Sequence, residues 1–373
     1  MNGGGIRLSL AVTTIRDFAT NEEIIQEARR RCAQGTWDYL VGGSESETTL
    51  RRNRLAFDKV AFRPRILVDV TEIDPSTEFM GQRLRIPAIL APIGSLQVFD
   101  PGGALAATQA ATDFGIMHCV SSATLPSLEE TAEATPTPKI FQLYVHGDEH
   151  WTADIIERVK QAGYVALALT VDVSRYSRRE RPMLSRYQPP TRRLTTDPVR
   201  SYLAALTWDT MDQIKEMAGL PFMLKGVQTA EDAELAVQHG VDYIWVSNHG
   251  GRQIDHGLGA LDTLPEIVQA VQGKAKIVLD GGVQRGSDIL KAVAMGADVV
   301  ALGRLQGWGL AAAGVQGCVR MLEILEDELV STMGLAGLTS IDQVTSRYVC
   351  NADPVTDAHE MSSWVNMPVS RIP

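Results

Sequence analysis

The chain alternates short apolar runs with amphipathic segments, and this alternation is its main structural signal. Eight runs read as strands: 87–92, 116–121, 139–144, 165–170, 222–225, 243–246, 277–280 and 299–303. Runs such as Tyr243-Ile244-Trp245-Val246 are continuous and apolar, as a buried strand requires. Helical periodicity occupies the spaces between them, at 103–114, 152–162, 230–239, 263–271 and 287–295. Strands alternating with helices imply parallel pairing through right-handed crossovers. Eight such units in this length predict an α/β fold of the (β/α)8 TIM-barrel type. An open doubly wound sheet is the alternative, but no Gly-x-Gly-x-x-Gly turn follows the first strand.

The flanks read differently. Residues 1–20 suggest a loosely attached start, and 21–57 are helical in pattern. Asn21 is the expected cap of the first helix, with Glu22 and Glu23 at its positive end. Gly42-Gly43 breaks the pattern, a second helix covers 47–57, and Arg63-Pro64-Arg65 closes this region. The connection between Arg179 and Trp208 is polar and Pro/Arg-rich with no clear period, as in a lid or a disordered loop. A long helix is expected at 317–333, with a tail beyond Thr339 packing against a neighbour. The whole chain, 1–373, therefore reads as one domain: an N-terminal helical cap (1–86), a barrel (87–312), and a C-terminal helix with tail (313–373).

Composition narrows the function classes. A chain of 373 residues with 45% hydrophobic content can bury a barrel-sized core. Its net charge of -10 argues against a nucleic-acid partner. The four cysteines, Cys32, Cys119, Cys318 and Cys350, show neither metal-ligand nor disulfide spacing. No apolar run approaches the ~20 residues of a membrane span. Met1-Asn2-Gly3-Gly4-Gly5 lacks the charged start of a signal peptide, so a cytoplasmic protein is expected.

In parallel barrels the chemistry sits at the C-terminal strand ends. Those ends carry Pro92 and Gly94, Ser121 and Ser122, Gln142 and Tyr144, Thr170 and Asp172, Lys225, His249 and Arg252, Asp280, Gly303 and Arg304. A neutral imidazole can take a proton near pH 7, and a guanidinium can clamp a carboxylate. Alone, His249 is compatible with a satisfied structural histidine and Arg252 with a surface ion pair. Polar residues at eight successive strand ends fit an enzyme site better. Asp280-Gly281-Gly282 and Gly303-Arg304 offer backbone N–H groups and a cation after the last two strands, where barrels often hold a phosphate. Lys225 ends an apolar strand and needs an anionic partner.

The stretch Ser247-Asn248-His249-Gly250-Gly251-Arg252-Gln253 resembles the active-site motif of the FMN-dependent α-hydroxy-acid oxidases and dehydrogenases, and the resemblance runs from about Trp37 to about Gly337. It implies FMN, with the phosphate held at Gly281, Gly282, Gly303 and Arg304. Pro92-Ile93-Gly94, Ser121, Gln142, Thr170, Lys225, Ser247 and Asp280 are its other implied cofactor contacts. The family has Arg at the position of Gln284, which leaves neighbouring Arg285 as the expected compensating cation. By the same resemblance Arg179, in Arg178-Arg179-Glu180, and Arg252 clamp a substrate carboxylate with help from the Tyr39 hydroxyl, and Tyr144 and Lys225 join His249 and Asp172 as catalytic residues. Asp172 orients His249 and raises its proton affinity. Ala123 stands where glycolate oxidase has a tryptophan, which enlarges the space for the substrate's side chain, unless Tyr187 or Tyr202 refills it.

The expected activity is oxidation of an L-2-hydroxy acid to the 2-oxo acid, with His249 removing a proton and two electrons passing to flavin N5. Oxygen is the expected acceptor, and a quinone or separate cytochrome the alternative. A phosphate-binding barrel isomerase and a non-catalytic barrel are the rival classes. The first needs no pair of carboxylate clamps, and the second no complete catalytic set. The resemblance also implies a homo-oligomer, a tetramer or octamer.

Overall fold

The computed structural model describes residues 18–190, 197–355 and 359–364. Eight parallel strands close a barrel: β1 Ala88–Leu90, β2 Met117–Ser121, β3 Lys139–Leu143, β4 Ala166–Thr170, β5 Phe222–Val227, β6 Tyr243–Val246, β7 Lys276–Asp280 and β8 Val299–Leu302. Each pairs with its neighbour in sequence, and Leu302 lies opposite Leu90 where β8 meets β1. The strands are buried on both faces because helices cover the outside and side chains fill the inside. All eight expected strands are present.

The register brings reactive residues to one height. Ser121 lies opposite Gln142, and Thr170 opposite Lys225. A bulge on β5 between Lys225 and Val227 bends the strand end. Gly226 at the bulge has φ +118°, and a Cβ there would stand 2.8 Å from the Asp172 Cβ. The bulge therefore lets Asp172 pack directly against the backbone next to Lys225.

A cap closes this end of the barrel. Its helices span Asn21–Arg31, Gln34–Val41 and Thr48–Asp58. Thr20, not Asn21, caps the first: the Glu23 carboxylate accepts from Ala19 N at 2.7 Å and Thr20 N at 3.4 Å. Asn21 sits one position inside, where burial lets it donate to Met321 O at 3.3 Å. The helix Thr48–Asp58 is pinned by Arg54, whose guanidinium grips Asp288 through two contacts of 2.6 and 2.9 Å and donates to Gly282 O at 2.9 Å. Both partners are almost fully buried.

Two expectations for the flanks change, and the described part of the tail has partners in its own chain. The connection after Arg179 is not featureless: it contains helices Glu180–Leu184 and Asp197–Ala204, each too short to register as a period. The C-terminal helix is longer than expected, Arg304–Ala336, but non-helical geometry at Ala313 and Gly314 divides it in two. The tail packs on its own chain: Val349–Asn351 pairs antiparallel with Val60–Phe62, and Trp364 is buried. Residues 1–17 lie outside the described residues. Among the described residues no helix is long and apolar enough to cross a membrane, and no group of residues could hold a metal ion.

Arg54→Met leaves the Asp288 carboxylate buried without its cation. Breaking such a pair costs about 3–5 kcal/mol, so the thermal midpoint falls well below that of the unaltered protein, and Arg54→Lys recovers part of the loss. An unchanged midpoint in a melting experiment would show that the cap docks without this pair.

Candidate active site

The strand ends and the cap enclose one cavity of about 430 Å³. Its lining joins two ends. Gly281, Gly282, Gln284, Gly303 and Arg304 form one, and Tyr39, Ala123, Tyr144, Arg179, His249 and Arg252 form the other. Pro92, Ile93, Gly94, Lys225 and Asp280 line the stretch between.

His249 is held in an unusual backbone. It has φ +59°, and Gly250 and Gly251 follow at +64° and +73°. Three left-handed residues in succession turn the chain sharply, and only the glycines do so without strain. The turn is enforced from outside, because a Cβ on Gly251 would lie 2.6 Å from the backbone of Leu50. Strain of this kind concentrates at functional sites.

The turn presents the His249 ring to Asp172 at 2.9 Å through Nδ1 and to the Tyr144 hydroxyl at 3.3 Å through Nε2. Asp172 holds its proton below the usual carboxylate range: burial opposes this, but His249 and Lys225 outweigh it. An ionised carboxylate only accepts, so Nδ1 carries the proton and Nε2 offers a lone pair. Asp172 raises the proton affinity of His249, as expected, but the net effect runs the other way. Burial is the largest influence, Lys225 adds to it, and together they hold His249 below the ordinary histidine value. The ring is therefore neutral at pH 7, ready to accept a proton.

Lys225 has the anionic partner its burial demands. Its Nζ donates to Ser247 Oγ at 2.9 Å and lies 3.3 Å from Asp280 Oδ2. Ser247 Oγ in turn donates to Asp280 Oδ1 at 2.7 Å and accepts from His249 N at 3.0 Å. Burial lowers the Lys225 value, but Asp280 and Asp172 more than offset it, so the ammonium stays charged. The Asp280 carboxylate thus turns toward Lys225, Ser247 and the Trp245 indole, and not toward the glycine pair that follows it.

Three guanidiniums converge on the cavity. Arg252 donates to Tyr39 O at 2.8 Å and Gly42 O at 2.9 Å. Arg179 reaches Gln253 Oε1 at 3.1 Å and Arg252 O at 3.2 Å. Arg304 donates to Gly250 O and Gly42 O, both at 3.0 Å. All three are partly or fully buried, yet none has a carboxylate within ion-pairing distance among the described residues. Burial, then the nearby Arg179, lowers Arg252 to about 9, and burial lowers Arg304 to about 10. Buried cations without a counter-charge are costly. Anionic ligands would offset that cost.

Other polar atoms also lack partners. Gln142 accepts from Ser121 Oγ at 2.8 Å, but among the described residues its Nε2 has no hydrogen-bond partner, and neither do Thr170 Oγ1, Gln284 Oε1 and Arg304 Nε. These atoms lie at strand ends or in the loops just beyond them, as a polar ring system with a phosphate would need. The residues present fit FMN. Ser121, Gln142, Thr170 and Ser247 are buried and do not themselves line the cavity.

One expected cofactor residue is elsewhere. Arg285 donates to Ser363 O at 3.0 and 2.7 Å, pairs with Glu328 at 2.5 Å, and stacks on Trp364. It does not reach the cavity, so it does not replace the missing cation, because a helix N-cap directs it outward. Gln284 does reach the cavity.

Several residues in or around the site were not foreseen. Asn53 exchanges side-chain hydrogen bonds of 2.9 and 2.7 Å with Asn248, and its backbone abuts Gly282. Polar residues on the buried face of a helix, Asn53 and Arg54, were the available signal. Gln253 holds Asp172 O at 2.8 Å and was visible as the last residue of the histidine motif. His146, Phe99, Val173 and Tyr176 lie in loops with no distinctive pattern. The described parts of the connection after Arg179 fold inward: Pro189, Pro190 and Leu203 line the cavity, and Tyr187 packs on Tyr39 with ring centroids 6.1 Å apart.

Comparison with known proteins agrees with this geometry. The family model for FMN-dependent dehydrogenases matches residues 28–351. The chain is 38% identical to an L-lactate oxidase of Nostoc sp. over 88% of its own length and 96% of that protein. It is also 38% identical to a glycolate oxidase of Spinacia oleracea, over 86% of its length and 93% of that protein. Among solved structures, a mandelate oxidase complex with (S)-4-hydroxymandelic acid superposes with a TM-score of 0.84 at 35% identity, covering 91% of this chain and 100% of the other. The chain belongs to the FMN-dependent α-hydroxy-acid oxidase and dehydrogenase family.

Proposed function

We propose that the chain oxidises an L-2-hydroxy acid with a bulky apolar side chain to the 2-oxo acid, with oxygen as the final acceptor. The observation that carries this reading is that His249, paired with Asp172, shares the cavity with two guanidiniums that lack carboxylate partners among the described residues. Arg179 and Arg252 hold the substrate carboxylate, and the Tyr39 and Tyr144 hydroxyls add hydrogen bonds. His249 Nε2 takes the proton from the substrate, while Asp172 holds the ring in the required tautomer. FMN, when bound, supplies the two-electron chemistry. Ser121, Gln142, Thr170 and Lys225 would hold its ring and chain, and the fixed charge of Lys225 would favour negative charge at that end. Gly281, Gly282, Gly303 and Arg304 would hold its phosphate.

The substrate's side chain meets an apolar wall of Phe99, Ala123, Leu125, Val173, Pro189, Pro190 and Leu203. Ala123 leaves volume open, although the inward loop reclaims part of it. The (S)-4-hydroxymandelic acid complex of the similar mandelate oxidase supports an aromatic or long aliphatic group. Oxygen is favoured by the oxidase relatives and by Gly94, whose bare backbone lines the cavity. Exposed Ile66, Leu67 and Leu335 support a homo-oligomeric assembly.

The acid limb of kcat/KM reports His249, and it lies below the ordinary histidine pH because the ring's proton affinity is lowered. Activity is retained above that limb and lost as the pH falls through it. Asp172→Asn removes the influence that raises the value, so the limb moves further into acid. His249→Ala slows substrate-dependent flavin reduction by roughly 10²–10⁴-fold while retaining FMN. Near-normal reduction in this variant, followed by stopped-flow absorbance, would remove His249 from the reaction.

Ala123→Trp fills the side-chain space. Each buried methylene contributes about 0.8 kcal/mol, so the unaltered enzyme prefers mandelate and 2-hydroxyoctanoate to glycolate in kcat/KM. The tryptophan variant reverses that order. A tryptophan variant that keeps the preference for bulky acids would place the specificity elsewhere.

A further inference from the structure

A carboxylate from the C-terminal segment stands at the phosphate end of the cavity. Glu360 and Met361 line it together with Gly281, Gly282, Gln284, Gly303 and Arg304. The segment is anchored to the same loop. Gln284 Nε2 donates to Glu360 O at 2.7 Å, and Arg285 holds Ser363 O and stacks 4.2 Å from the Trp364 ring centroid. Ser362 donates to Asp58 at 3.0 Å, which ties the segment to the cap helix as well.

Three features make Glu360 itself the displaceable part. First, Arg181 donates to Glu360 Oε1 at 2.8 Å but already holds Glu47 through two contacts of 2.6 and 2.5 Å, and among the described residues the other Glu360 oxygen has only His359 Nε2 at 3.4 Å. That two-contact pair is complete without Glu360. Second, Gln284 is an amide where the resemblance leads to a cation, so the grip has one guanidinium, Arg304, to offset any anion. Third, Arg304 Nε and Gln284 Oε1 have no hydrogen-bond partners among the described residues, so the grip is not satisfied by the segment alone. Glu47 and Glu360 are the carboxylates that partly offset the effect of burial on Arg304.

We propose that Glu360 is a cofactor-site residue that opposes the FMN phosphate, so that the segment 359–364 and the phosphate compete for one end of the cavity. The proposal rests on the assignment of the phosphate grip to residues 281–282 and 303–304. A dianionic phosphate beside a buried carboxylate meets like-charge repulsion that neighbouring backbone N–H groups do not cancel. FMN therefore binds more weakly than the rest of the site allows, and its binding loosens the segment. Cofactor retention is then set by the C-terminal segment, outside the barrel.

The test compares FMN with riboflavin, which lacks the phosphate, by quenching of flavin fluorescence on titration with flavin-stripped protein. Glu360→Gln keeps the shape of the residue and removes the charge. It should bind FMN on the order of tenfold more tightly than the unaltered protein and bind riboflavin equally well. Glu360→Lys should tighten FMN further. Limited proteolysis should cleave the C-terminal segment faster with FMN than without it. Equal FMN affinity in Glu360→Gln, an equal gain for riboflavin, or a segment protected by FMN would each overturn the proposal. Uptake of riboflavin but of no FMN by Glu360→Gln would overturn the phosphate grip itself, and the proposal with it.

Discussion

The structure depends on burying more positive charge than it neutralises at one end of a parallel barrel. Arg179, Arg252 and Arg304 have no carboxylate partners among the described residues, whereas Lys225 has Asp280. The barrel tolerates this because each guanidinium spends its donors on backbone carbonyls and amide side chains, which satisfy hydrogen bonds without cancelling charge. The residual field selects the ligands. On the proposed reading it draws a carboxylate to Arg179 and Arg252 and a phosphate to Arg304, three residues that line one continuous cavity.

The same charge surplus explains the tuning of the proton acceptor. A carboxylate beside a histidine ordinarily raises its proton affinity, and Asp172 does so here. Burial and Lys225 pull harder in the opposite direction. Asp172 therefore fixes the tautomer and the orientation of His249 and restrains the loss of basicity. It does not make the ring a stronger base than a free imidazole. The left-handed turn at His249, Gly250 and Gly251 is the mechanical counterpart, because the cap backbone at Leu50 closes off any wider path.

Much of this was legible in the sequence, for identifiable reasons. The eight strands were visible because strands buried on both faces are continuously apolar. The strand-end residues were visible because polar groups interrupt those runs abruptly, as at Thr170, Lys225 and Ser247. The partners of those groups were not. Nothing in local pattern shows that Asp280 faces Lys225 or that Arg285 leaves the site for Ser363 and Trp364. Both are long-range choices made by packing. The inward fold of Pro189, Pro190 and Leu203 and the return of Glu360 to the cavity belong to segments without periodicity, where the sequence carries no directional signal.

The central claim is that the unpartnered guanidiniums hold a carboxylate next to His249. The direct measurement is anaerobic reduction of the bound flavin, followed by its visible absorbance, with L-mandelate and with benzyl alcohol, the same skeleton without the carboxylate. Bleaching by L-mandelate and none by benzyl alcohol at equal concentration is the predicted result. Bleaching by both at comparable rates, or by neither while FMN remains bound, would contradict the account.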